Sequence, residues 1–99
     1  MKLSILDRIT LLGILPPTEG NYITFKILAQ LKTDLSFSEI ELKELNIHEA
    51  DGRIYWDKSI DKEIEVGDKA KEIICDSLKK LDEAGKINEH NVSLYEKFI

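Results

Sequence analysis

The stretch "KAKEIICDSLKKLDEAG", Lys69 to Gly85, sets the terms for the whole fold. Ala70, Ile73, Ile74, Leu78, Leu81 and Ala84 recur at helical spacing and make one apolar stripe. A helix with such a stripe must bury it against other elements. Asp68 is read as its N-cap. Gly85 is read as its stop, because glycine takes the left-handed conformation that ends a helix. Everything before and after this segment must therefore supply a cover for it.

The preceding chain offers three shorter helices. In "SILDRITLLG", Ser4 and Asp7 have the spacing of a capping box, and Ile5, Ile9 and Leu12 share a face with Leu6 beside them. Gly13 and Pro16-Pro17 are expected to end this helix. "NYITFKILAQLKTDL" alternates at Ile23, Phe25 and Ile27 like a strand. Over a longer window Ile23, Ile27, Leu28, Leu31 and Leu35 fit the helical period, so a helix capped by Asn21 is predicted. In "DLSFSEIELKEL", Ser38 and Glu41 form a second capping box, and Phe37 and Leu42 have the spacing of a hydrophobic staple. That predicts a helix over 39–45 with Ile40 toward the core and Glu39, Glu41 and Glu44 largely outward.

Two further patterns point to β-structure. "NIHEADGRIYWD" reads as a hairpin turning at Asp51-Gly52. Tyr55 and Trp56 fall on opposite faces of its second strand, one toward the core and one exposed. "KEIEV" alternates and is read as a third strand beside the hairpin. The tail "NEHNVSLYEKFI" offers Val92, Leu94, Tyr95, Phe98 and Ile99 to a short last helix. The expected fold is one mostly helical α+β domain over 1–99, a helical bundle with a β-hairpin or small antiparallel sheet in the middle. Three helices followed by a hairpin is a winged-helix-like order.

Charge bears on function. The chain carries −5 overall. From Asp34 to Asp68 there are 11 acids against 4 bases, a net −7, which leaves the remainder at +2. A winged helix that reads DNA needs cations on its third helix and wing. "SEIELKEL" offers three glutamates and Lys43 alone, and the wing sets Glu49 and Asp51 against Arg53. Direct DNA binding is therefore not expected. The acidic face predicts a basic protein partner, in one form by carboxylates standing in for nucleic-acid phosphates. The candidate partner-binding residues are Glu39, Glu41, Glu44, Glu49, Asp51 and Tyr55. An acidic surface that only confers solubility competes with this reading.

Catalytic and cofactor patterns are missing or broken, so no enzyme, no cofactor and no metal is expected. His48-Glu49 lacks the second histidine of a zinc helix, since position 52 is glycine. Ser77-Leu78-Lys79-Lys80 matches a serine–lysine motif without its usual companions, and Ser77 is read as a helix-surface serine. Cys75 is single, so no internal disulfide can form, as befits a reducing compartment. No apolar run is long enough for a membrane span. Asp7 and Arg8 break the apolar start, which argues against a secretion signal.

The runs "ILPPTEGNYITFKILAQLKTDLSFSEIE", "KEIEVGDKAKEIICDSLKKLDEAGKI" and "SLYEKF" resemble small uncharacterised proteins encoded by tailed bacteriophages and prophages. The resemblance spans most of the chain and implies a bacterial cytoplasm. It carries no known activity and no functional residues. A structural or assembly component of a phage particle is one alternative function, and a winged-helix-like nucleic-acid-binding regulator is the other.

Overall fold

A computed structural model describes residues 1–58 and 60–99. The order is β1 (Lys2–Leu3), α1 (Ile5–Ile14), α2 (Tyr22–Leu35), α3 (Glu39–Glu44), β2 (His48–Ala50), β3 (Arg53–Tyr55), β4 (Lys62–Glu63), α4 (Asp68–Glu83) and α5 (Val92–Phe98). It is a mostly helical α+β fold. The α4 stripe is covered as its sequence demands: α2 packs on one side, α5 on the other, and α1 bridges α2 and α4. Leu3, Leu11, Leu31, Leu35, Ile64, Ile74, Leu78 and Leu94 make the core.

Local signals explain most boundaries. Ser4 and Asp7 form the reciprocal capping box of α1. The Asn21 side chain accepts from the Thr24 N–H and starts α2, which settles Tyr22 to Leu28 as helix. Asp51 (φ 54°) and Gly52 (φ 75°) both take positive φ, as a tight hairpin turn requires. Gly85 (φ 68°) ends α4, where its N–H donates to Asp82 O and the Lys86 N–H to Leu81 O.

Four expectations need correction. The "KEIEV" strand does not join the hairpin. β4 pairs antiparallel with β1, Lys2 opposite Glu63 and Leu3 opposite Lys62, while β2 and β3 form a separate pair. That ladder places Leu3 and Ile64 in the core, which a strand beside the hairpin would not do. Gly67 is the N-cap of α4, and Asp68 is its first residue. Gly13 lies inside α1, which runs one residue further to Ile14. Ile40, expected in the core, and Ile23, counted in the apolar period of α2, are both 68 % exposed. Ile23 stands in the first turn of α2, where the buried residues begin only at Leu28.

The inward face of α1 also differs from the predicted one. Ile5, Asp7, Arg8 and Leu11 are buried, and Ile9 and Leu12 are half-buried. Two charges therefore sit in the interior, and each is paired. Lys97 Nζ meets Asp7 Oδ2 at 2.6 Å and ties α5 to α1. Arg8 reaches the opposite way, toward α3.

Candidate interaction surface on α3 and the hairpin

Helix α3 is only six residues long and buries none of its side chains. Helices this short are marginal in water, and most gain their stability from packing an apolar face. Here the termini do that work instead. At the start, Ser38 Oγ accepts from the Glu41 N–H, and the Glu41 carboxylate accepts from the Ser38 N–H. At the end, Asn46 takes the left-handed conformation (φ 50°). Its N–H donates to Lys43 O, and the Ile47 N–H donates to Leu42 O.

The anchor is Arg8, 1 % exposed. Its Nε donates to Leu35 O at 3.1 Å and Nη2 to Ser36 O at 2.6 Å, which closes the carbonyl end of α2. Nη1 donates to Glu41 Oε2 at 2.6 Å. The same guanidinium lies 4.0 Å from the centroid of the Phe37 ring. Phe37, expected to staple to Leu42, thus packs against a cation from α1, while Leu42 is 38 % exposed. One buried side chain fixes both the α2–α3 turn and the start of α3.

Glu41 is consequently not a free acid on the outer face, as its sequence suggested. It is the buried-side ligand of Arg8, with Lys62 Nζ at 3.6 Å. The Arg8 hydrogen bond, aided by the Ser38 N–H, holds its carboxyl at about 2, below the ordinary 4.5. A depressed carboxyl pKa favours the folded state above the unfolded value, and that contribution is lost as pH falls through the folded one. Stability should therefore drop by about 2–3 kcal/mol between roughly pH 4.5 and pH 2 through this group alone. Urea melts across that range should show the drop in the parent and a flatter profile in Glu41→Gln.

At about 100° per residue, Glu39, Ile40, Lys43 and Glu44 occupy the outward arc of α3. Glu39 and Glu44 are exposed as expected. Ile40, exposed between them, is the surface residue that sequence reasoning missed. Its place at a helical apolar position argued for the core, and only the short length of α3 could have warned otherwise.

The hairpin divides the remaining candidates between two faces. His48 pairs with Tyr55, Glu49 with Ile54, and Ala50 with Arg53. Paired residues share a face and successive residues alternate. Tyr55 is 44 % exposed and stacks on His48 with ring centroids 5.8 Å apart. Glu49 and Ile54 lie on the other face. There Ile54 and the half-buried Trp56 border a groove with Leu6 and Ile9 of α1. Of the opposite-face pair, Trp56 is thus the inward member and Tyr55 the outward one. Asp51 is exposed at the tip. Of the candidates, Glu39, Glu44, Asp51 and Tyr55 are exposed, Ile40 joins them, Glu49 is set apart from Tyr55 across the hairpin, and Glu41 is withdrawn.

The other residues weighed for chemistry are engaged locally. His48 Nδ1 is 2.8 Å from Asn46 O, Ser77 Oγ donates to Ile73 O, and Cys75 Sγ donates to Phe98 O at 3.4 Å. Among the described residues, no group of three or more His, Cys, Asp or Glu could hold a metal ion. Likewise, among the described residues no helix is long and apolar enough to cross a membrane. Comparison with protein-family models, curated proteins and solved structures finds no match to this chain.

Proposed function

We propose that this protein is a non-enzymatic interaction module that docks on a basic partner protein through α3 and the adjoining hairpin. The observation that carries the reading is α3 itself. It contributes no buried side chain to the core, yet both its ends are capped and a buried arginine clamps it. Burying a charge costs stability, so a clamp of this kind is a device for fixing one geometry. What it fixes is an outward arc of two carboxylates around an exposed isoleucine. Complementary charge at such a face acts on partner choice and association rate, and the apolar residue supplies contact area. The partner we envisage is a protein of a bacterial cytoplasm, a setting suggested by the phage-type resemblance of the sequence.

Capture from bacterial lysate by the immobilised protein tests the reading. Basic proteins should be retained at low salt and released at high salt. The Glu39→Gln/Glu44→Gln/Asp51→Asn variant should not retain them. Equal retention by parent and variant would refute it.

Nucleic acid is a poor fit for the same face, since Lys43 and Arg53 offer few cations against its carboxylates and the nearby Lys62 already faces Glu41. Gel shifts at physiological salt should show no duplex binding, and a submicromolar shift lost on changing Lys43 and Arg53 would reverse this expectation.

One observation favours a second reading, that of an assembly component of a phage particle. Tyr22, Ile23 and Phe25 at the start of α2 are 72, 68 and 46 % exposed, enough apolar surface to meet a neighbouring subunit. Self-association of the purified protein through these residues would support that reading over the first.

A further inference from the structure

The β1–β4 ladder leaves one edge open. Met1 O accepts from the Ile64 N–H at 2.9 Å. With Lys2 opposite Glu63, antiparallel alternation makes Met1–Ile64 a hydrogen-bonded pair and Lys2–Glu63 a non-bonded one. The Lys2 carbonyl accordingly points away from β4, where Lys97 Nζ donates to it at 3.3 Å. By the same alternation, the N–H and C=O of Glu63 point away from β1. They meet no partner among the described residues, and neither does the Glu65 N–H. On the β1 side the Lys2 carbonyl is thus taken by Lys97 of α5, and the β4 side is open.

Two hollows flank the open edge and share Lys62 and Glu63 in their walls. One runs toward α3 and the other toward α2. Their carboxylates are Asp34, Glu41, Glu44, Asp61, Glu63 and Glu65, against Lys62 alone. Glu41 faces Arg8 and Lys62, and Glu63 faces the Met1 amine at 2.7 Å. Asp34, Glu44, Asp61 and Glu65 meet no cation among the described residues. Ile60, 55 % exposed, offers an apolar footing beside them.

We infer that the outer edge of β4 takes an extended, lysine- or arginine-bearing segment of a partner protein as a third strand. Open main-chain groups select an extended backbone, and the flanking side chains select its composition. A second copy of this chain is the wrong occupant. Pairing β4 with β4 would set these carboxylates against one another, and like charges on facing strands are destabilising. Short, charged edges are a known means of preventing such self-pairing. The inference rests on the reading of a basic partner and adds where and in what conformation that partner binds.

The test uses the isotope-labelled full chain and a short peptide of alternating lysine and valine. Binding should slow amide exchange at Glu63 and Glu65. The same peptide, methylated on the backbone nitrogens that would face β4, keeps its charge and loses its donors. It should bind about tenfold more weakly, the worth of one or two hydrogen bonds. Glu65→Pro removes an unpartnered N–H just beyond the β1–β4 ladder and should weaken the parent peptide similarly, with its thermal melt as the check on folding.

Equal binding of the methylated peptide, with shifts confined to α3 and the hairpin, would overturn edge docking while leaving the acidic-face reading intact. Failure of the lysine–valine peptide to bind would also overturn edge docking, whereas the lysate capture decides the acidic-face reading separately. Equal binding of a glutamate–valine peptide would overturn the charge assignment. Protection of Glu63 and Glu65 that grows with protein concentration in the absence of peptide would show a second copy at the edge and overturn the inference.

Discussion

Arg8→Ala is expected to cost about 3–5 kcal/mol of folding stability, the usual penalty for removing one partner of a buried ion pair. The loss has several parts. The Leu35 and Ser36 carbonyls lose their buried donor, Phe37 loses the cation over its ring, and a cavity opens beneath the α2–α3 turn. Glu41 loses the hydrogen bond that holds its carboxyl low, and rehydration of its part-exposed carboxylate offsets some of that loss. Arg8→Lys should not rescue the protein. An ammonium is a single point of donation and cannot reach two carbonyls and a carboxylate in the fork geometry that a guanidinium offers. Urea denaturation with a far-ultraviolet signal would give both numbers. A cost below about 1 kcal/mol for Arg8→Ala, in the range of a surface pair, would mean that α3 is not held by this residue.

Leu78→Ala is the second large effect, at about 2–5 kcal/mol. Leu78 is fully buried in the middle of α4 and belongs to the core shared with α1, α2 and α5. Truncating it leaves a void that the surrounding helices can only partly close. Leu81 lies one turn further along the same stripe but is half-buried, so Leu81→Ala should cost clearly less in the same urea series. Equal costs at the two positions would show that the stripe is packed differently from the arrangement described above.

These two residues also mark where the sequence could be read and where it could not. Leu78 was legible because a long amphipathic helix repeats its signal over several turns. The caps were legible as well, since Ser4 with Asp7, Ser38 with Glu41, Asn21 and Asp51-Gly52 each act over three or four residues. Arg8 was not. Its role depends on carbonyls 27 and 28 residues away and on a glutamate 33 residues away, and nothing local distinguishes a buried arginine from one that merely interrupts an apolar run.

The error at Glu41 follows from the same blindness, because a capping glutamate normally faces water. The β1–β4 ladder joins two two-residue strands about sixty positions apart, too short to show any period. Ile40 misled for the opposite reason. It fitted an apolar position in a helix whose termini, not its packing, hold it in place. For the candidate surface, the acidic block was evident from composition. The separation of Glu49 from Tyr55 and the withdrawal of Glu41 required the hairpin register and the interior pairing.

The most direct test of the proposed docking face is the association rate of a captured basic protein at two ionic strengths. Three proteins would be compared: the parent, Glu39→Gln/Glu44→Gln/Asp51→Asn, and a control with Glu72→Gln, Asp82→Asn and Glu83→Gln on α4. Glutamine and asparagine keep shape and remove charge, and none of the three surface positions anchors the fold. Exposed charges more than about 8 Å apart are largely screened at physiological ionic strength. The parent and control should therefore associate fast at low salt and slow steeply as salt rises. The α3–hairpin variant should be slow at both ionic strengths, with a nearly flat salt dependence. If all three proteins associate at the same rate and respond equally to salt, the acidic face is only a solvated surface and the docking account fails.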